Sequence, residues 1–224
     1  MFDDLSDLDK VDISEIKNVE TNTNTKPNGI QYSNGSKGRF PVKKEEVIEE
    51  PYIPVVLYVD REFPEEVKNS LYNIASKLIN KKITVRYNGD DKDFHSRLSS
   101  LSDKYTEAYI PWKGFNDIES KHYWNTVTSR HLAGINFGFS WEKIPDSVKS
   151  LLARNIRLIF GDKNNSISLC VITWSKDGAS KATEVTKDTG RSSFIIKTAS
   201  SYGFPVINIA KESAGNILEK TFGL

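Results

Sequence analysis

The stretch YIPVVLYVDREFPEEVKNSLYNIASKLINKKITVRYNG, residues 52–89, decides the fold. Its first nine residues form a nearly unbroken apolar run, the pattern of a strand buried on both faces of a parallel sheet. Pro64 then suits a first helical turn, Glu65 and Glu66 suit the positive end of the helix dipole, and Lys81 and Lys82 suit its negative end. Val67, Leu71, Ile74 and Leu78 fall on one helical face. ITVRYNG, residues 83–89, turns apolar and β-branched again and predicts a second strand. A strand, a helix and a strand in this space imply a right-handed crossover between parallel neighbours.

The pattern continues outward. KDFHSRLSSLS (92–102) reads as a helix and TEAYIPW (106–112) as a third strand. Residues 117–145 read as short helices and loops. DSVKSLLARNIRLIFG (146–161) is a helix with Asp146 as N-cap and Gly161 as stop. SISLCVITWSKDG (166–178) holds a buried strand, GRSSFIIKTASSYG (190–203) a helix, FPVINIA (204–210) the last strand and ESAGNILEKTF (212–222) a closing helix. The expected class is α/β: a Rossmann-like three-layer α/β/α domain over residues 51–224 with a mostly parallel sheet.

Residues 1–50 differ in composition. They hold eleven acids against seven Lys and Arg, whereas the remainder holds nineteen acids against twenty-four bases. Residues 20–50 are rich in Asn, Thr, Gly, Ser, Lys and Glu, too polar to offset chain entropy, and are expected to be disordered. Within residues 1–20, Phe2, Leu5, Leu8 and Val11 recur every three positions among acids, and Ile16 and Val19 extend the series. That spacing suggests a short amphipathic helix for a partner's groove.

Other classes are disfavoured. A single Cys170 gives neither a disulfide framework nor a Cys-rich metal site, and His95, His122 and His131 share no ligand spacing. No metal and no cofactor are expected. No segment supplies the roughly 18 apolar residues of a membrane span. The acidic N-terminus lacks a signal core, so the expected compartment is the cytoplasm. A net charge of +1 gives no general attraction to nucleic acid.

Ligands of open parallel sheets sit outside the carboxyl ends of the strands. The strand ends here read Val59-Asp60-Arg61, Arg86 to Asp91, Pro111-Trp112-Lys113-Gly114 and Thr173 to Gly178. Trp112 and Trp174 offer faces for a ring, Arg61, Lys113 and Lys176 offer charge for phosphate, and the glycines admit close backbone approach. KDTGRSSF (187–194) opens a helix, where free N–H groups and the dipole favour an anion near Thr189, Gly190, Arg191 and Ser192. The candidate ligand contacts are therefore Arg61, Gly89, Trp112, Lys113, Trp174, Asp177, Gly178, Thr189, Gly190, Arg191 and Ser192. For cleavage of an N-glycosidic bond, which needs a carboxylate near the anomeric carbon, the candidates are Asp90, Asp91 and Asp93.

YIPWKGFN (109–116), LLARN (151–155), VITWSKDGAS (171–180) and TGRSSFIIKTASSYGFPVIN (189–208), in this order, resemble the SLOG superfamily, in particular its DprA-like and YspA-like branch and phage-encoded members. Such members carry Gly-Ser-Arg after the first strand, where this chain has Val59-Asp60-Arg61. They carry Gly-Gly-Thr-Gly before the late helix, where this chain has Lys187-Asp188-Thr189-Gly190. The resemblance implies a nucleotide or nucleotide-derived phosphorylated ligand at the sheet edge, with hydrolysis of its N-glycosidic bond as in the phosphoribohydrolases of the group. Two other roles stay open. One is DprA-like binding of single-stranded DNA, with Lys104, Lys113, Lys121, Arg130, Tyr123 and Trp124 as groove. The other is a non-catalytic phage protein in the host cytoplasm that binds a host protein through residues 1–20. Association with a second copy of the chain is also open.

Overall fold

A computed structural model describes residues 52–162 and 166–224; the expected linker and amphipathic segment of residues 1–50 lie outside the described residues. Five strands form one sheet: β1 (Val55–Leu57), β2 (Val85–Asn88), β3 (Thr106–Tyr109), β4 (Val171–Thr173) and β5 (Val206–Asn208). Every pairing is parallel and the order is β3-β2-β1-β4-β5. The chain thus builds outward from β1 to β3, returns across the sheet and builds outward again from β4 to β5. This is the Rossmann-like arrangement, with its reversal of direction between β1 and β4.

Among the described residues, six α-helices flank the sheet: α1 (Glu65–Asn80), α2 (Lys92–Ser99), α3 (Val127–Phe137), α4 (Asp146–Phe160), α5 (Ser193–Ser201) and α6 (Ala214–Phe222). α1 packs on α2, while α3, α4 and α5 pack on one another. Right-handed crossovers in the two directions place these groups on opposite faces. β1, β2 and β4 are buried throughout, as their apolar runs require, and β3 is only half-buried as an edge strand. Beyond β3 the chain adds a single parallel bridge between Tyr109 and His122. The core joins Val55, Val56 and Leu57 to Leu71 and Leu78 of α1, Ile195 and Ile196 of α5, and Leu218 of α6. Cys170 lies buried beside β4, its carbonyl accepts the Val56 amide, and burial pushes its thiol pKa up to about 12.

Three details depart from the sequence expectation. Asp146 is not a cap: Pro145 occupies that position and the Asp146 carboxylate pairs with Arg130 of α3. The β4 strand is shorter than its apolar run, because Ile167 and Leu169 face solvent. The late helix starts at Ser193 rather than Gly190, since Lys187–Ser192 forms a 3-10 turn broken by Gly190 at φ +62°.

α3 is the largest element that the sequence left undefined. It buries Ser129 and Ala133 and turns Val127, His131 and Ile135 outward, with Trp124 before it and Phe139 after it also exposed. Leu78→Ala, at a side chain with no exposure, is expected to lower the unfolding free energy by about 2–5 kcal/mol in urea titration. Val127→Ala, at 88% exposure, is expected to change it by less than about 0.5 kcal/mol.

Candidate functional site

All five strands point the same way, so their carboxyl ends form one rim. Asn88, at the end of β2, ties the rim across to β1: its Oδ1 accepts the Val59 amide at 2.7 Å and its Nδ2 donates to the Val59 carbonyl at 2.7 Å and to Asp90 at 2.8 Å. Arg154 of α4, fully buried, then clamps Asp90 with two parallel bonds of 2.9 and 3.0 Å. Burial alone would raise the Asp90 pKa, but the guanidinium and Asn88 together hold it below the ordinary carboxylate value. Asp91 caps α2 through the Phe94 amide and pairs with the buried Lys68 at 2.8 Å. Asp93 is exposed in the first turn of α2. Of the three acids considered for catalysis, two are therefore committed to internal partners and the third faces water.

Between the ends of β1 and β3 lies a cleft of about 330 Å³, lined by Arg61, Asp90, Asp91, Lys92, Asp93, Asn116 and Asp117. Asn116 shapes its floor by donating to the carbonyls of Gly89 and Asp90. Gly89 is a packing glycine here. A Cβ on it would stand 2.8 Å from Ile110 and 2.9 Å from Ile118. Farther out, a groove of about 680 Å³ runs along Lys113, Gly114, Asp117, Ile118, Glu119, Ser120, Lys121 and Tyr123. Trp112 stands beside it at 41% exposure, edge-on to Phe115.

On the other side of the reversal the contacts are different. Trp174 follows β4 and packs edge-on against Phe63, half-buried. Asp177 is a hub: Ser175 and the Ala179 amide donate to Oδ1, and Thr186 and Thr189 donate to Oδ2. Those four donors hold its carboxyl well below the ordinary value despite the desolvation that opposes them. Gly178 turns the chain at φ +68° and donates to the Ser175 carbonyl. Ser192, buried, donates to the Trp174 carbonyl at 2.8 Å and so pins the start of α5 to the end of β4. Thr189, Asp177, Gly178 and Ser192 thus build the wall. Gly190 and Arg191 face outward, with open space where a Gly190 side chain would be.

Arg191 reaches across the reversal. Its Nη2 lies 2.6 Å from Glu62, its Nε 3.8 Å from Asp60, and its carbonyl accepts the Tyr58 hydroxyl at 3.4 Å. Asp60 ends the β1 run and is 2% exposed. The sequence expectation took Arg61 from the strand end Val59-Asp60-Arg61 as a ligand contact and gave no ligand role to Asp60, Tyr58 or Arg154. The available signals were an acid closing an apolar run and two arginines, Arg154 and Arg157, set among apolar residues of one helix.

The rim therefore gathers Arg61 with Asp90, Asp91 and Asp93 in the central cleft, and Trp174, Thr189, Gly190, Arg191 and Ser192 at the reversal. Trp112 and Lys113 stand beyond β3, three strand spacings or about 14 Å from β4. A second polar cluster lies under β3. There Arg157 and His122 both hold Asp162, and His122 stacks on Tyr109 with ring centroids 4.5 Å apart. Among the described residues no group of three His, Cys, Asp or Glu side chains is placed to hold a metal ion, and no helix is long and apolar enough to cross a membrane. Comparison with protein-family models, curated proteins and solved structures finds no match for this chain.

Asp90 and Asp177 both carry lowered pKa values, so each contributes stability that is complete above the unfolded value near 3.9 and is lost as the pH falls through the folded value. Circular dichroism across an acid titration is expected to show stability falling below about pH 4, and Asp177→Asn is expected to make that fall shallower. Arg154→Leu strands a buried carboxylate and is expected to cost roughly 3–5 kcal/mol by denaturant unfolding.

Proposed function

We propose that the protein binds a nucleotide-type phosphorylated ligand at the reversal between β1 and β4. The observation that carries this reading is the meeting, at that one point, of the β1 end and the turn that opens α5, with the half-exposed Arg191 bridging the two. Open sheets hold ligands at this position, and a helix start with an adjacent guanidinium suits a phosphate. Gly190 lets backbone come close to the guest, and Trp174 with Phe63 supplies an apolar flank for a ring. Similarity to SLOG-type nucleotide domains belongs to the same proposal. Hydrolysis of an N-glycosidic bond is a finer step within it, for which Asp90 and Asp91 are poorly placed because Arg154 and Lys68 occupy them.

The test is thermal shift with each of the four nucleoside monophosphates. At a hundredfold excess over Kd, binding adds about 2.7 kcal/mol and raises the Tm by several degrees. Arg191→Ala is expected to remove the shift and Lys113→Ala to leave it. No shift with any of the four, or a shift insensitive to Arg191, overturns the reading.

A second reading rests on the outer groove. Lys113, Lys121 and Tyr123 line it and the exposed Trp112 and Trp124 flank it, which are the parts of a single-stranded DNA track. Asp117 and Glu119 in the same wall oppose it. If it holds, oligothymidylate affinity falls with log salt at about −0.7 per phosphate contacted, and Lys113→Ala lowers that slope.

A further inference from the structure

We infer that Asp60 is a ligand contact kept covered by Arg191: a phosphate group draws Arg191 away, and the uncovered carboxylate accepts a hydrogen bond from a hydroxyl of the ligand's sugar. The inference rests on the nucleotide reading above and adds to it a residue and a chemical group.

The argument begins with an incomplete carboxylate. The Asp60 Oδ1 accepts the Glu62 amide at 2.8 Å, but its Oδ2 is buried and receives no hydrogen bond. The Arg191 Nε stands 3.8 Å from that oxygen, beyond hydrogen-bond reach. The other acids at the strand ends are treated differently. Asp90 takes donors on both oxygens, as do Asp91 and Asp177. Burying a carboxylate oxygen without a donor is costly, and folded chains keep such atoms bonded unless they serve another end. Burial, with the nearby Asp90 and Glu62 charges adding to it, holds the Asp60 carboxyl above its ordinary pKa, so the site is strained toward accepting a proton or a hydrogen-bond donor.

The cover is built to come off. Arg191 is 51% exposed at its side chain and its bonded partner Glu62 is 63% exposed. An ion pair so open to water contributes little. A phosphate offers the same guanidinium two strong acceptors at the start of α5. Moving Arg191 onto it opens Oδ2 from the outside, at the end of β1 and next to the phosphate position. A sugar joined to that phosphate brings hydroxyl donors to this place, whereas inorganic phosphate brings no such group.

Calorimetry with ribose 5-phosphate and with inorganic phosphate tests this without assuming a base. Wild type is expected to bind the sugar phosphate more tightly than phosphate. Asp60→Asn is expected to weaken ribose 5-phosphate about tenfold and leave phosphate within about twofold, with a Tm no lower than wild type. Glu62→Gln, which releases Arg191, is expected to tighten both. Equal effects of Asp60→Asn on the two probes, or none, overturn the role of Asp60 while the phosphate site stands. If wild type binds neither probe, the phosphate site fails and this inference fails with it. Should Asp60→Asn not fold, Glu62→Gln decides alone, and no gain in affinity overturns the covering role of Arg191.

Discussion

The bidentate pair between Arg154 and Asp90 is the constraint on which the rim depends. It joins the middle of α4 to the loop after β2, and Asn88 carries the same linkage on to β1. Two charges removed from water gain little net energy from each other, but they tolerate only one geometry. With both Asp90 oxygens occupied, the loop after β2 is fixed, and the cleft wall with it. Arg86 and Arg157, also fully buried, both lie over the Tyr109 ring, 5.6 and 5.2 Å from its centroid, and pair with Glu107 and Asp162.

A rim made rigid in this way divides its residues into two kinds. Asp177, Thr189 and Ser192 have their polar atoms bonded to one another or to the loop backbone and hold the loop after β4 to the turn that opens α5. Arg191, Glu62 and Lys113 are held by weak, exposed contacts or point to solvent. Recognition by a folded scaffold needs both. Fixed backbone supplies position, and the few side chains that are cheap to move supply response.

The sheet was legible because parallel strands are buried on both faces and so print continuous apolar runs. The β1–α1–β2 unit and the strand around Val171 follow directly from that. The edges of elements were not legible where apolar residues face out. Ile167 and Leu169 extend a run that the strand does not use, and the exposed Val127 and Ile135 give α3 an apolar pattern unrelated to the core. Site residues divided along similar lines. An acid at a strand end can be seen in sequence, and so Asp90 and Asp91 stood out. That their charge is cancelled by Arg154 and Lys68 depends on partners 64 and 23 positions away. Strand order is equally invisible: Trp112 and Trp174 both end strands, yet the order places β3 at one margin and β4 beyond the centre.

Cys170 gives the molecule a clock of its own. The thiol is buried in the core just before β4, at the joint where its backbone pairs with β1, and a protonated, enclosed sulfur there is inert to alkylation. Its modification can proceed only as fast as that joint parts. Cys170 precedes β4 and so lies toward the amino ends of the strands, away from the rim, which makes the reactivity of this native sulfur a report on the opening of the core itself, with no dye or engineered residue needed to follow it.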